Sequence, residues 1–145
     1  MTYGEYLIYS ARMGDIEGVK ECLSEDVPVN TQEEGMGNTA LHMACANNFI
    51  EVARLLLEHK ADINLANRSK NTALHWAALT GNKDVVKFLI EWNVPEQKVN
   101  ASLKNEFDRI PLEEALQSQY IDIAEYLAPF SKLDDDKLYS TIHEK

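Results

Sequence analysis

The heptapeptide Asn38-Thr39-Ala40-Leu41-His42-Met43-Ala44 returns 33 residues later as Asn71-Thr72-Ala73-Leu74-His75-Trp76-Ala77. The residues that follow repeat as well. Asn48-Phe49-Ile50-Glu51-Val52-Ala53-Arg54-Leu55-Leu56-Leu57 lines up with Gly81-Asn82-Lys83-Asp84-Val85-Val86-Lys87-Phe88-Leu89-Ile90. A fixed period of this length restricts the chain to a stack of small units, because one unit cannot bury its apolar face alone.

Two degenerate copies flank the clear pair. Leu7-Ile8-Tyr9-Ser10-Ala11-Arg12-Met13-Gly14 matches the second unit at an offset of 34 but lacks its threonine and histidine. Ile110-Pro111-Leu112-Glu113-Glu114-Ala115 restarts the pattern and runs on to Ile121-Asp122-Ile123-Ala124-Glu125-Tyr126-Leu127. Atypical outer copies suit end caps, which have one neighbour each.

Within a unit the spacing predicts two short antiparallel helices. Leu41, Ala44 and Cys45 share one face of the first, and Val52, Leu55, Leu56 and either Leu57 or His59 supply the apolar side of the second. Small residues at Ala44, Ala77 and Ala115 allow close helix approach. Asn47-Asn48 and Thr80-Gly81-Asn82 accept the left-handed backbone that breaks each pair. Thr39 and Thr72 stand where an N-cap oxygen is wanted.

The period and the TALHMA and TALHWA starts resemble the ankyrin repeat. The resemblance implies an all-α solenoid of four helix-turn-helix units, at about residues 5–34, 38–66, 71–100 and 109–130, the first and last being degenerate caps. It makes the polar stretches between units protruding hairpin-like loops. The expected domain is 1–131, followed by a short charged tail over 132–145. The third loop is five residues longer, within Val94-Pro95-Glu96-Gln97-Lys98. Lys70 replaces the glycine expected before the restart, which puts an ideal tight turn there in doubt.

No catalytic set emerges. Two imidazoles on one zinc would each lie about 2 Å from it, whereas His42 and His75 sit one repeat apart on helices packed about 8–10 Å apart. The resemblance gives these histidines a bond to neighbouring loop backbone. No glycine-rich phosphate loop or nucleophile motif is present, and Asp134-Asp135-Asp136 lacks calcium-loop spacing. No cofactor and no metal are expected. Cys22 and Cys45 lie in apolar helical patterns and read as buried thiols.

The net charge of −10 is uneven. Residues 1–35 carry eight acids against two bases and residues 111–145 eight against three, around a middle of eight against nine. The acidic ends either keep the outer units soluble or recruit a basic partner. Nucleic acid is a poor partner for so acidic a chain. No run reaches the roughly 18 apolar residues of a membrane span. The start of the chain, lacking a basic segment before an apolar run, predicts no secretory signal. A monomer in the cytoplasm, possible also in the nucleus, is the expectation.

What remains is recognition of another protein. By resemblance, partners touch the loop tips and the open side of the first helices. The loop candidates are Met36, Asn38, Arg68, Ser69, Asn71, Phe107 and Arg109, and the helix candidates Arg12, Met13, Asn47, Leu79 and Thr80. Met36 and Phe107 would serve as apolar anchors, although Phe107 could instead pack under the long third loop. Trp76 is expected in the core. Within the family the chain is similar to the small acidic chaperones, known in yeast, of a basic small-subunit ribosomal protein. Asp15, Glu17, Glu21, Glu33 and Glu34 would then form the acidic partner surface. The alternative is a regulatory inhibitor or adaptor that binds a kinase or other signalling protein through a concave face.

Overall fold

The computed structural model describes residues 1–133, so the expected charged tail lies, from residue 134 on, outside the described residues. Eight α-helices occur among them, with no strand. They form four pairs: α1 (Tyr3–Met13) with α2 (Ile16–Ser24), α3 (Ala40–Ala46) with α4 (Ile50–Glu58), α5 (Ala73–Leu79) with α6 (Lys83–Glu91), and α7 (Pro111–Gln117) with α8 (Ile121–Leu127). The first helices pack in a row, α1 on α3 on α5 on α7, and each carries its second helix on the outer side. None of these helices is long and apolar enough to cross a membrane.

The row is held by residues in one register. Leu7, Leu41, Leu74 and Leu112 are all buried, and Ser10, Ala44, Ala77 and Ala115 are each fully buried beside them. Small side chains there let successive inner helices approach closely, so that the leucines interlock. In α4, Val52, Ala53, Leu56 and Leu57 are buried while His59 is exposed, so Leu57 completes that apolar side.

Caps explain why helices of only seven residues persist. Thr39 and Thr72 accept from the backbone N–H of His42 and His75 at 3.3 Å, and each imidazole Nδ1 accepts from the threonine N–H at 3.1 Å. This is the reciprocal capping box with histidine in place of the usual glutamate. The Nδ1 acceptor role fixes the proton on Nε2, which donates to the next hairpin: His42 to Asn71 O at 2.8 Å, His75 to Arg109 O at 2.9 Å. The histidines are thus structural links between units.

Left-handed residues close the helix pairs: Gly14 at φ 71°, Asn48 at 64° and Gly81 at 78°. A Cβ on Gly81 would lie 2.5 Å from the Tyr120 ring, and one on Gly14 2.7 Å from Phe49, so glycine serves both backbone and packing. The third link is ordered too. Its extra residues form a 3-10 turn, Pro95–Gln97. After α8 comes a second 3-10 turn, Ala128–Phe130, which contains Pro129.

Candidate protein-binding surface

Three hairpin-like links precede α3, α5 and α7, each with a left-handed residue two positions before the cap: Gly37 at φ 74°, Lys70 at 63° and Asp108 at 61°. The tight turn therefore survives the lysine, contrary to the doubt its sequence raises. Lys70 N–H donates to Asn67 O at 2.9 Å, and Asn67 Oδ1 accepts from Ser69 N and Asn71 N, each at 3.0 Å. Those bonds offset the roughly 1–2 kcal/mol that a left-handed lysine costs. Asn105 repeats the pattern, accepting from Phe107 N and Arg109 N.

Adjacent hairpins are stitched together. Arg68 N–H donates to Met36 O at 2.9 Å and its guanidinium to Gly35 O at 2.6 Å; Glu106 N–H donates to Ser69 O at 3.0 Å. Two asparagine pairs bridge them inside: Asn67 Nδ2 to Asn38 Oδ1 at 2.9 Å, and Asn105 Nδ2 to Asn71 Oδ1 at 2.8 Å. Asn67 and Asn105 escape the sequence reading. The available signal is asparagine five residues before each restart, at Thr72 and Ile110.

These bonds divide the expected contact residues. Asn38 is 2% exposed and spent on Glu33 and Asn67, so it is scaffold and not a presented tip. Ser69 and Asn71 are half-buried in the hairpin network. Arg109 is half-buried, its guanidinium bonded to the buried Glu114 carboxylate and stacked 5.2 Å from the Phe107 ring centre. The residues left facing outward are Arg12, Met13, Met36, Asn47, Arg68, Leu79, Thr80 and Phe107. Asn47 and Thr80 also bond the preceding helical turn, to Met43 O and Trp76 O.

The apolar ones are well exposed: Met13 by 57%, Met36 by 46%, Leu79 by 40% and Phe107 by 61%. Phe107 is therefore not packed under the third loop. Trp76 is half-buried and packs against the edge of the core, its ring edge-on to His42 at 5.8 Å. Its register equivalents are Tyr9, about half exposed, Met43, and in the last unit Glu114. This is the single position at which the two heptapeptides differ. That difference is the signal that could have marked it.

The five acids fall on two elements, α2 and the first hairpin. Asp15 caps α2, accepting from Gly18 N at 3.0 Å, and Glu17 and Glu21 are exposed on that outer helix. Glu33 is half-buried at the first hairpin, accepting from Met36 N and Asn38 Nδ2 and facing Arg12 at 3.9 Å; Glu34 alone of this pair is exposed. The hairpin tips mix Glu34 and Glu106 with Arg68 and Lys70, a nearly balanced field.

Burial pushes both cysteine thiols up, Cys45 furthest, which keeps them protonated. Among the described residues no cluster of three histidine, cysteine or carboxylate side chains could hold a metal.

The sequence matches the family described as ankyrin repeats (3 copies), over residues 7–102 and 67–137. It is similar to Notch-regulated ankyrin repeat-containing protein A of Danio rerio, 46% identical over 37% of this chain and 48% of that protein. It is also similar to serine/threonine-protein kinase 12 of Arabidopsis thaliana, 36% identical over 59% of this chain and 18% of that one. With human BCL-6 corepressor-like protein 1 it shares 30% identity over 61% of this chain and 5% of the relative. The chain thus spans less than half the length of each of these relatives.

Proposed function

The chain belongs to the ankyrin-repeat family, and on that premise we propose that it is a non-catalytic module that holds a partner protein against its inner helices and hairpin tips. The observation that carries this reading is the exposure of Met13, Met36, Leu79 and Phe107, contributed by separate units and links. Large apolar side chains raised on a bonded scaffold make interface anchors, since little conformational freedom remains to be lost on binding. The charge around them is mixed, so shape and apolar contact select the partner. Relatives named for Notch regulation and for a protein kinase support a partner in signalling.

The experiment is capture of the partner from the chain's own cells, followed by titration with purified components. A Met36→Ser/Phe107→Ser variant should lose about tenfold or more in affinity, while Glu17→Gln/Glu21→Gln keeps it. Full binding by the first variant would refute the reading.

A second reading rests on the net charge of −10 and the exposed carboxylates of α2. In it the module is a dedicated chaperone, shielding the positive segment of a new ribosomal protein until assembly. It requires affinity for a basic ribosomal protein that falls steeply with salt. The Glu17→Gln/Glu21→Gln variant should then be the weaker binder.

A further inference from the structure

The residues that lengthen the third link also build a site. Their 3-10 turn stands on the C-terminal end of α4, fixed there by the buried amide of Gln97. Its Nε2 donates to Leu57 O at 2.8 Å and Ala61 O at 3.0 Å, and its Oε1 accepts from Trp92 Nε1 at 3.0 Å. Between the turn and α4 opens a groove of about 570 Å3. Its floor includes Leu57, Val94 and the half-buried Trp92, and its rim carries Glu58, Asp62 and Glu96 against Lys60. All of these come from outer helices and the links after them. None is an inner-helix or hairpin-tip residue of the surface described above.

An indole beside three carboxylates and one ammonium suits a cation with an aliphatic stem. The stem packs on the apolar floor, the charged head lies on the aromatic face, and the carboxylates accept its N–H groups. The same outer surface already holds one such pairing. The Arg54 guanidinium sits 5.0 Å from the centre of the Phe88 ring, which is itself 5.5 Å from that of Trp92. Because Gln97 ties the wall of the groove to the preceding unit, the site is formed before anything binds.

We propose that this groove is a second docking site, which takes an arginine- or lysine-bearing segment of a partner protein, with the cationic side chain on Trp92 and its head toward Glu58 and Glu96. Charge complementarity selects the occupant, since the rim is net negative. The site goes beyond the inner-helix reading and is independent of it.

The test uses 15N-labelled protein and two short peptides, one alternating arginine with leucine and one alternating glutamate with leucine. The indole N–H signals of Trp92 and Trp76 are distinguished with Trp76→Phe. The arginine peptide should move the Trp92 signal and leave Trp76 in place. Glu58→Gln/Glu96→Gln should weaken it roughly fivefold, as should raising salt from about 0.05 to about 0.5 M. Glu17→Gln/Glu21→Gln, on α2, should not. An equal response to the glutamate peptide, equal weakening by the α2 variant, or a shift of Trp76 before Trp92 would overturn the proposal. Met36→Ser/Phe107→Ser should leave this titration unchanged, so failure here and failure of the inner-helix reading give different results.

Discussion

The imidazole of His42 donates from Nε2 to the carbonyl oxygen of Asn71 at 2.8 Å, so a helix of one unit is tied to the hairpin of the next. The same ring accepts the Thr39 N–H through Nδ1. Truncation by His42→Ala would leave a buried N–H and a carbonyl without partners, each costing about 1–3 kcal/mol. We expect a loss of roughly 3 kcal/mol in chemical denaturation, and a similar loss for His75→Ala. A change below about 1 kcal/mol would show that the ring is packing filler.

Protonation should act in the same direction. Burial lowers the pKa of His42 below its usual 6.5, against the pull of the Asn71 carbonyl; His75 lowers it further and Glu33 opposes. Burial likewise lowers His75, opposed by the Arg109 carbonyl and Glu114. A depressed folded-state value means that the unfolded chain takes up these protons first. The contribution is therefore fully present above pH about 6.5 and is lost as pH falls below it toward the folded values. Denaturation midpoints at pH 7.5 and 5.5 should differ, and the difference should shrink in His42→Gln/His75→Gln.

Ser10 Oγ is the one buried side-chain polar atom among the described residues with no hydrogen-bond partner. The other units carry Ala44, Ala77 and Ala115 in this register, all fully buried. Removing the hydroxyl relieves its desolvation at the cost of one small void. Ser10→Ala should stabilise the chain by about 1 kcal/mol, read as a higher thermal midpoint. A lower midpoint would mean that the hydroxyl is satisfied in solution.

Much of the stack is legible in the sequence, because capping, left-handed turns and leucine spacing are local and repeat. Thr39, Gly14 and Leu41 announce their roles through chemistry that depends on near neighbours alone. Presentation is different. Asn38 and Met36 are two residues apart in one polar loop, yet one is bonded away to Asn67 and the other faces outward. That difference depends on a residue 29 positions away, which no local pattern reveals. Gln97 is hidden for the same reason, since the two carbonyls it donates to lie 40 and 36 residues earlier, on α4 at Leu57 and in the link after it at Ala61.

Gly81 should resist substitution for two reasons at once. Its φ of 78° strains any L side chain, and a Cβ would meet the Tyr120 ring at 2.5 Å. Gly81→Ala should cost about 2 kcal/mol or more. Asn48 occupies the same left-handed turn one unit earlier at φ 64°. There Asn48→Gly should be neutral to within about 0.5 kcal/mol, because asparagine tolerates this region. Equal losses at both positions would remove the steric argument.

The sharpest dependence on a single side chain is expected at Gln97. Its amide donates to the carbonyls of Leu57, in the last turn of α4, and Ala61, in the link beyond it, and accepts from the Trp92 indole, all within 3.0 Å. Leucine fills similar space but can make none of these bonds. Gln97→Leu would leave Leu57 O, Ala61 O and Trp92 Nε1 to find other partners, at about 1–3 kcal/mol each if they stay buried. The cheaper response is for the turn Pro95–Gln97 to lift and let water in. We therefore expect a net loss of about 2 kcal/mol, smaller than the sum, with faster hydrogen exchange at the Trp92 indole and unchanged exchange in α1 and α3. Exchange that rises uniformly along the chain would mean that Gln97 supports the whole stack and not the link alone.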